Sequence, residues 1–228
     1  PTGGFALYNV FACIAPCGGG KTYSMAQLVR KQCLDGQVQK VYIISPTVRR
    51  NHAWDALKPW TVDTCEDCAN PDDFLYNVRS QSVAEYDIWE CVRKNYTWEE
   101  FTEILVKGQR RPGFDKLVRK YAEKLGYMWY KTPPSTVLIC DDCIGTNLFR
   151  EQRTSLFANI LIKHRHLGLS VYVLVQALRN TFPRMLRLNV RCWMLWRFGD
   201  EKQVRDIYSE AAGSLCTLEE FMDMYMLI

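Results

Sequence analysis

The sequence of 228 residues lacks any apolar run long enough to cross a membrane. A membrane-spanning helix needs about 20 predominantly apolar residues, and the longest apolar stretches here, 5–15 and 169–175, are shorter or interrupted. The N-terminal residues also lack the basic start of a secretory signal peptide. We therefore expect no transmembrane segment, and we interpret the short apolar runs as buried strands.

Internal repeats and low-complexity tracts are absent as well. Hydrophobic residues make up 48% of the chain, which is ample for a buried core. This length and composition predict one large α/β domain over residues 1–228, with room for a sizeable insertion.

The sequence has ten cysteines, but it lacks the two clean pairs that a structural zinc site generally uses. One pair, Cys65 and Cys68, has C-x-x-C spacing, with His52 upstream and Cys91 downstream. We expect the cysteines to be free thiols, and zinc at Cys65 and Cys68 remains an open alternative.

Acidic residues are scarce in one part of the chain. The net charge is +4, yet residues 150–197 contain nine Lys and Arg against the single acid Glu151. The segment therefore carries +8 and the rest of the chain −4. Such a basic segment suggests a polyanionic partner or a subunit interface that faces nucleotide. Ordinary solvated helix faces would give the same count.

A glycine-rich stretch with one lysine is the strongest motif. It follows the apolar run 5–14 and precedes the segment 23–34, which has helical spacing. In this strand–loop–helix context, glycines let backbone N–H groups converge on an anion, and the helix N-terminus adds its dipole. The residues expected around the phosphates are Ala15, Pro16, Cys17, Gly18, Gly19, Gly20, Lys21, Thr22 and Tyr23.

Two side chains in this stretch have predicted roles in binding ATP and Mg²⁺. Lys21 is expected to reach the β- and γ-phosphates, and the Thr22 hydroxyl to ligate Mg²⁺. The stretch departs from the G-x-x-x-x-G-K-[ST] pattern at one position, because Ala15 stands where glycine is usual.

A second motif supports the nucleotide site. The apolar run 136–140 ends in Asp141 and Asp142, so a buried strand would deliver both acids to its carboxyl end, where ligands gather in open α/β sheets. Asp141 is expected to hold Mg²⁺, directly or through water. Asp142 is expected to polarise the attacking water, a role usually filled by Glu. Gln176, after the apolar run 169–175, would reach the γ-phosphate or this water if its strand lies between the first and third core strands.

The remaining segments surround this α/β frame. Residues 49–134 are expected to form a mainly helical insertion between the second and third core strands, with no obvious long strand from about residue 54 to 134. Tryptophans there are expected to be core residues, and the basic loop 107–113 either contacts DNA or is solvated. The predicted strands are 41–44 and 192–198; the predicted helices are 21–34, 72–92, 98–105, 114–125, 153–167, 181–188 and, within the C-terminal segment 200–228, 201–212 and 218–227.

These motifs together resemble the additional-strand P-loop ATPases. The order Arg165-His166-Leu167-Gly168-Leu169-Ser170, an apolar strand, Gln176, then Pro183, Arg187 and Asn189 resembles the FtsK–HerA superfamily. Within that superfamily the chain is most similar to the poxvirus-type genome packaging ATPases of large DNA viruses and virophages. The resemblance covers about 1–48 and 136–200 and leaves the insertion unmatched.

The resemblance implies a homo-oligomeric ring, a pentamer or hexamer, that drives double-stranded DNA into a preformed capsid. It further implies a capsid shell or portal-vertex protein as partner. The implied location is the virion or the host cytoplasm at the virus factory, a reducing compartment. A neighbouring subunit's arginine would complete each site, with Arg187, Arg184 and Arg165 as candidates in that order.

Other functions fit the same motifs. A P-loop kinase for a small molecule also carries this loop, although Gln176 has no required role there. Another translocase of the same superfamily, acting in conjugation or repair, is a second alternative. Because Asp142 replaces the usual Glu, a nucleotide-dependent assembly scaffold that hydrolyses ATP slowly or not at all is a third.

Overall fold

A six-stranded sheet with all strands parallel forms the centre of the molecule. The computed structural model describes residues 7–107, 114–125, 130–131, 133–149, 155–179 and 181–227. The strands are β1 (Val10–Ile14), β2 (Lys40–Ile44), β3 (Thr61–Cys65), β4 (Thr136–Asp141), β5 (Leu169–Val175) and β6 (Cys192–Leu195), in the spatial order β3-β2-β4-β5-β1-β6. The expected mostly parallel sheet is confirmed.

Helices cover the sheet and form a satellite beside it. They are α1 (Lys21–Leu34), α2 (Asp72–Asn95), α3 (Trp98–Lys107), α4 (Phe114–Leu125), α5 (Leu156–Lys163), α6 (Arg184–Arg187), α7 (Glu201–Ile207) and α8 (Leu218–Met226). Short 3₁₀ turns occupy His52–Leu57, Asn147–Phe149 and His164–Leu167, and a π-helix, Tyr208–Ala212, follows α7. Within the described residues, no helix combines the length and apolarity that a membrane span requires.

The central strands are predominantly apolar because both faces of the sheet are covered. All residues of β1, β2, β4 and β5 are buried. β5 lies between β4 and β1, so the condition set for Gln176 is met. Asp141 pairs in register with Leu174, and Ile14 pairs with Val175. The carboxyl ends of β1, β4 and β5 therefore meet at one edge of the sheet.

Several predicted bounds agree with the structure and others shift. α1, α4 and β5 have their predicted limits. The first strand, expected over residues 5–14, begins at Val10 in the structure. Residues 7–9 precede it, and residues 1–6 lie outside the described residues. The helix predicted over 153–167 is α5 followed by a 3₁₀ turn, and β6 ends at Leu195. Most of the basic loop 107–113 lies outside the described residues.

One strand was not predicted from the sequence. β3 lies within the segment expected to be helical and pairs in parallel with β2 at the edge of the sheet. Its central residues Val62, Asp63 and Thr64 are exposed, so the strand lacks the apolar run that marks the buried strands. A short strand therefore lies within a segment for which the sequence shows no obvious long strand.

The helical segment has a small core of its own, which we call the satellite core. Its fully packed members come from the end of α2, from α3 and α4, and from Tyr130; they are Val92, Phe101, Val118, Ala122 and Tyr130. The tryptophans of this segment pack in cores as expected: Trp89 and Trp98 lie against the satellite core, and Trp54 and Trp60 belong to the layer beneath α1. Trp129 lies outside the described residues.

Candidate nucleotide site

The glycine-rich stretch forms an exposed loop between β1 and α1. The Ala15 N–H donates to the Val175 carbonyl (3.2 Å), which continues the strand pairing before the chain turns. Gly18 and Gly20 have φ of +74° and +80°, a left-handed conformation that side chains disfavour. Ala15 does not have a positive φ, so replacement of the usual glycine there costs no backbone strain.

The start of α1 offers its N–H groups to an anion. Gly20 occupies the N-cap position without a side-chain hydrogen bond, and the first turn contains no acidic residue. The first N–H groups of a helix lack partners within the helix, and the dipole makes this end positive. The glycine-rich loop and the N-terminus of α1 therefore form a site that suits a phosphate. Tyr23, one turn along, is 63% exposed.

The first acid after β4 is buried against α1. Asp141 is 1% exposed, and its Oδ2 accepts a hydrogen bond from the Thr22 hydroxyl at 3.0 Å. Its other oxygen, Oδ1, is buried without a hydrogen-bond partner. Burial, with a smaller contribution from the charge of Asp142, raises the pKa of Asp141 to about 6. A carboxylate in this situation is stabilised by a nearby cation.

Thr22 and Asp141 together fit Mg²⁺. The ion prefers oxygen ligands, usually one or two from the protein with waters and substrate phosphates completing the shell. A hydroxyl and a carboxylate lie in contact, and the unpartnered Oδ1 of Asp141 has an unused lone pair. The residues present therefore fit the ion that the motifs imply.

The second acid, Asp142, contacts both the lysine of the glycine-rich loop and the glutamine that follows β5. The Lys21 ammonium lies 3.1 Å from Asp142 Oδ1, and the Gln176 side-chain amide donates to the same oxygen at 3.2 Å. Asp142 has φ +52°, unusual for a residue with a side chain, which turns the chain sharply after β4. Lys21 and Asp142 are 7% and 32% exposed, so this ion pair is shielded from solvent on one side only.

The three candidate arginines lie in different environments. Arg187 is 10% exposed, ion-paired with Glu210 at 3.2 Å, and its guanidinium also donates to the Leu178 and Phe182 carbonyls. Arg184 is exposed and begins α6, on the chain that leaves the carboxyl end of β5. Arg165 is also exposed but lies in the turn before β5, at the opposite edge of the sheet.

Acidic residues of the C-terminal helices form ion pairs with arginines of the basic segment. These ion pairs were not predicted from the sequence. Besides the Arg187–Glu210 pair, Arg179 pairs with Asp206 at 2.7 Å. Glu210 and Asp206 lie outside the segment in sequence, and opposite charge is the only signal that relates them to it.

The zinc alternative finds no support in the described part of the chain. No group of three or more His, Cys, Asp or Glu side chains there is arranged to hold a metal ion. All ten cysteines are free, Cys65 and Cys68 included.

Comparison with known proteins identifies the fold. No protein-family model matches the sequence, and no curated protein sequence matches it significantly. Among solved structures, the genome packaging NTPase B204 from Sulfolobus turreted icosahedral virus 2 in complex with AMP gives a TM-score of 0.54 at 14% identity, over 90% of this chain and 83% of that one. Its complex with AMPPCP gives 0.51 at 15% identity over the same shares.

A second protein has the same fold within a longer chain. The cytoplasmic domain of EssC gives a TM-score of 0.51 at 16% identity, over 88% of this chain but only 35% of that one. At these identities the likeness establishes the fold. The chain has the P-loop NTPase fold of these proteins, as its motifs indicated.

Proposed function

We propose that the protein hydrolyses ATP and uses the energy to move double-stranded DNA into a viral capsid. The observation that carries the ATPase proposal is the meeting of Lys21, Thr22, Asp141, Asp142 and Gln176 at one edge of the sheet through contacts of 3.0 to 3.2 Å. The lysine, the hydroxyl, both acids and the amide each have a role in nucleotide hydrolysis, and they lie beside the helix N-terminus that suits an anion.

The residues divide the work of binding. The glycine-rich loop and the N-terminus of α1 hold the phosphates, and Lys21 exchanges Asp142 for the β- and γ-phosphates. Thr22 and Asp141 hold Mg²⁺, which neutralises charge on the phosphates when bound. Binding of the ion also offsets the burial of the ionised Asp141.

Asp142 and Gln176 are the groups proposed to act on the attacking water. Once Lys21 moves to the phosphates, Asp142 Oδ1 keeps Gln176 as its partner and accepts a hydrogen bond from the water. The amide of Gln176 then orients either the water or a γ-phosphate oxygen. Positioning and charge stabilisation supply most of the catalysis in phosphoryl transfer, so small displacements of these groups matter.

The fold likeness and the charge of the chain support a DNA packaging motor. B204, whose fold this chain shares at 14% identity, is described as a genome packaging NTPase. Exposed basic residues of the basic segment remain available for sequence-independent phosphate contacts; those in the described residues include Lys163, Arg165, Arg184, Arg191 and Arg197.

A ring of identical subunits would bring an arginine of one copy to the phosphates held by the next. Arg184 is now the first candidate, because it is exposed on the chain that leaves the nucleotide edge of the sheet. Arg187 is committed to Glu210 within its own chain. Arg165 stands at the opposite edge and ranks last.

The test is ATP hydrolysis by the purified chain with and without long double-stranded DNA, at low and moderate salt. We expect DNA to stimulate hydrolysis, and the stimulation to fade with salt because phosphate contacts release counterions. Lys21→Ala should abolish turnover. Lys31→Ala, an exposed lysine in the last turn of the same helix, is the matched control and should retain it.

The outcomes separate the alternatives. Turnover that ignores DNA would favour a small-molecule kinase or another ATPase. Tight ATP binding with no turnover, under all conditions, would favour the assembly scaffold. Turnover unaffected by Lys21→Ala would contradict the nucleotide site itself.

A further inference from the structure

Two buried cysteines lie in contact directly behind the acids of the nucleotide site. The sulfur atoms of Cys68 and Cys143 are 3.7 Å apart, although the residues are 75 positions apart in sequence. Their exposed fractions are 3% and 0%. Cys143 follows Asp142 immediately, and Cys68 lies in the loop between β3 and α2.

Both side chains are fixed in this arrangement. The Cys143 thiol points to the carbonyls of Ile44 and Asp141, at 3.5 and 3.4 Å. The Cys68 N–H donates to the Glu66 carbonyl at 2.9 Å, which holds its loop in a tight turn. The two sulfur atoms therefore already lie against each other in the reduced protein. The pair has no part in the proposed hydrolysis.

We propose that Cys68 and Cys143 form a reversible disulfide that controls the position of Asp142. A peroxide is the oxidant. One thiolate attacks a peroxide oxygen, which gives a sulfenic acid and releases hydroxide. The second thiol attacks that sulfur, forms the S–S bond and releases water. The two thiols lose two electrons, and hydrogen peroxide is reduced to two molecules of water.

A peroxide suits the buried position of the pair. Hydrogen peroxide is little larger than water, whereas a disulfide such as oxidised glutathione would have to enter a site where Cys68 is only 3% exposed. Cys65 is the last residue of β3, three positions before Cys68, and is partly exposed, so the C-x-x-C pair Cys65–Cys68 is the competing linkage. The 3.7 Å contact favours Cys143 as the partner of Cys68.

Bond formation would act on the acid next to Cys143. The sulfur atoms must approach from 3.7 Å to about 2.05 Å, which pulls the chain after β4 toward the loop after β3. Asp142 has little freedom to absorb this movement, because its φ of +52° is already in the left-handed region. The carboxylate should then shift relative to Lys21 and Gln176. Its effect on turnover rests on the proposed ATPase function, whereas the disulfide itself does not.

The experiment treats the full-length protein with hydrogen peroxide, blocks remaining thiols under denaturing conditions and maps linkages by mass spectrometry. We expect a Cys68–Cys143 linkage that dithiothreitol removes. Hydrolysis of ATP should fall about tenfold or more in the oxidised protein, since misplacement by about 1 Å is costly in catalysis. Dithiothreitol should restore it.

Variants separate this site from the other thiols. Cys68→Ser and Cys143→Ser should each lose both the linkage and the sensitivity of turnover to peroxide. Cys91→Ser, in α2, should keep both and serves as the matched control. Because the mapping is done on the wild-type chain, the proposal stays testable if a buried Cys→Ser variant folds poorly.

The readouts distinguish the ways in which the idea can fail. A Cys65–Cys68 linkage, or no linkage at Cys143, would overturn the site. A Cys68–Cys143 linkage with unchanged turnover would overturn the control of Asp142. A linkage in a protein that hydrolyses no ATP in either redox state would support the disulfide site and contradict the proposed function.

Discussion

Two neighbouring aspartates at the end of β4 occupy opposite environments. Asp141 is buried with one oxygen unpartnered, and Asp142 is partly exposed between Lys21 and Gln176. Asp141 is the last residue of β4, whereas the chain turns at Asp142, whose φ is +52°, so the two adjacent side chains face different surroundings. One acid is thus suited to a cation and the other to a water molecule.

The burial of Asp141 predicts a stability that depends on pH. Its pKa is about 6 in the folded chain against 3.8 as the ordinary value, so the folded state binds the proton more tightly. The free energy of unfolding should therefore fall as pH rises from about 4 to 6, by about 3 kcal/mol from this group. Asp141→Asn should raise the free energy of unfolding by about 1 to 3 kcal/mol at pH 7.5 and have little effect at pH 4. Urea denaturation with a chelator present measures both.

Mg²⁺ supplies the control for this prediction. The wild-type protein should gain stability from Mg²⁺ with an ATP analogue, and Asp141→Asn should lose most of that gain, because a ligand that binds only the folded state stabilises it. Asp223→Asn, on the exposed face of α8, should change neither quantity. An equal gain from Asp141→Asn at both pH values would contradict the role assigned to burial.

At the residue scale, the sequence predicts which side chains lie together at the edge of the sheet. It does not predict which of them form ion pairs or hydrogen bonds with each other. Strand ends and a glycine-rich loop suffice to bring Lys21, Asp141 and Gln176 to one edge. The sharing of one Asp142 oxygen by Lys21 and Gln176 depends on the register of β4 with β5. The contact of Cys68 with Cys143 depends on β3, which the sequence did not reveal.

At the scale of elements, the chain after β5 is tied to the C-terminal helices. Arg187, at the end of α6, reaches both the carbonyls of the preceding loop and Glu210 in the π-helix. A second ion pair joins Arg179, before α6, to Asp206 in α7. The loop that begins at Gln176 is therefore held by two ion pairs that sequence spacing does not predict.

Arg187→Ala should destabilise the protein, and Arg184→Ala should not. Removing one partner of a largely buried ion pair costs about 3 to 5 kcal/mol, and partial exposure of Glu210 reduces this to about 2 to 3 kcal/mol. An exposed residue such as Arg184 should change stability by less than about 0.5 kcal/mol. Chemical denaturation of the two variants measures the difference.

The same variants test the arginine that acts between subunits. Arg184→Ala should lose hydrolysis while staying folded, and mixing it with Lys21→Ala subunits should restore some activity through shared sites. Wild-type turnover by Arg184→Ala alone would reject this arginine. Loss of turnover by Arg187→Ala without loss of stability would return Arg187 to first place.

The elements that were predicted well are those with one dominant signal. α1 and β5 have unbroken periodic or apolar patterns between clear end signals, and their bounds agree with the structure. β3 has no such signal, because it is short and polar. Its pairing with β2 stabilises it at the edge of the sheet. Tertiary pairing overrides local preference in such cases.

At the scale of the whole molecule, α2 belongs to two cores. Its first half places Phe74, Leu75 and Val78 in the core beside the sheet, and its second half places Val92 in the satellite core. At about 1.5 Å per residue, this helix of 24 residues is about 36 Å long. Stability need not be uniform along such a chain, because small clusters can open separately.

Phe101→Ala should loosen the satellite core and spare the nucleotide site. Phe101 is fully buried there, and truncation of a buried Phe costs about 3 to 5 kcal/mol. Amide hydrogen exchange should speed up in α3 and α4, whereas ATP hydrolysis should change little. Phe157→Ala, equally buried beside the sheet, should instead lower the stability of the whole chain and serves as the comparison. Uniformly faster exchange in Phe101→Ala would contradict a separate unit.

The polar edge strand β3 has a consequence for how copies of the molecule meet. An outer strand presents backbone groups that a strand of another chain can pair with, which is a common route to aggregation. β3 is only five residues long and exposes Asp63, and Glu66 and Asp67 follow it. Two such edges brought together would set carboxylates against carboxylates. Continuous sheets across neighbouring copies are thereby discouraged at this edge, which leaves side-chain surfaces as the means of ordered assembly.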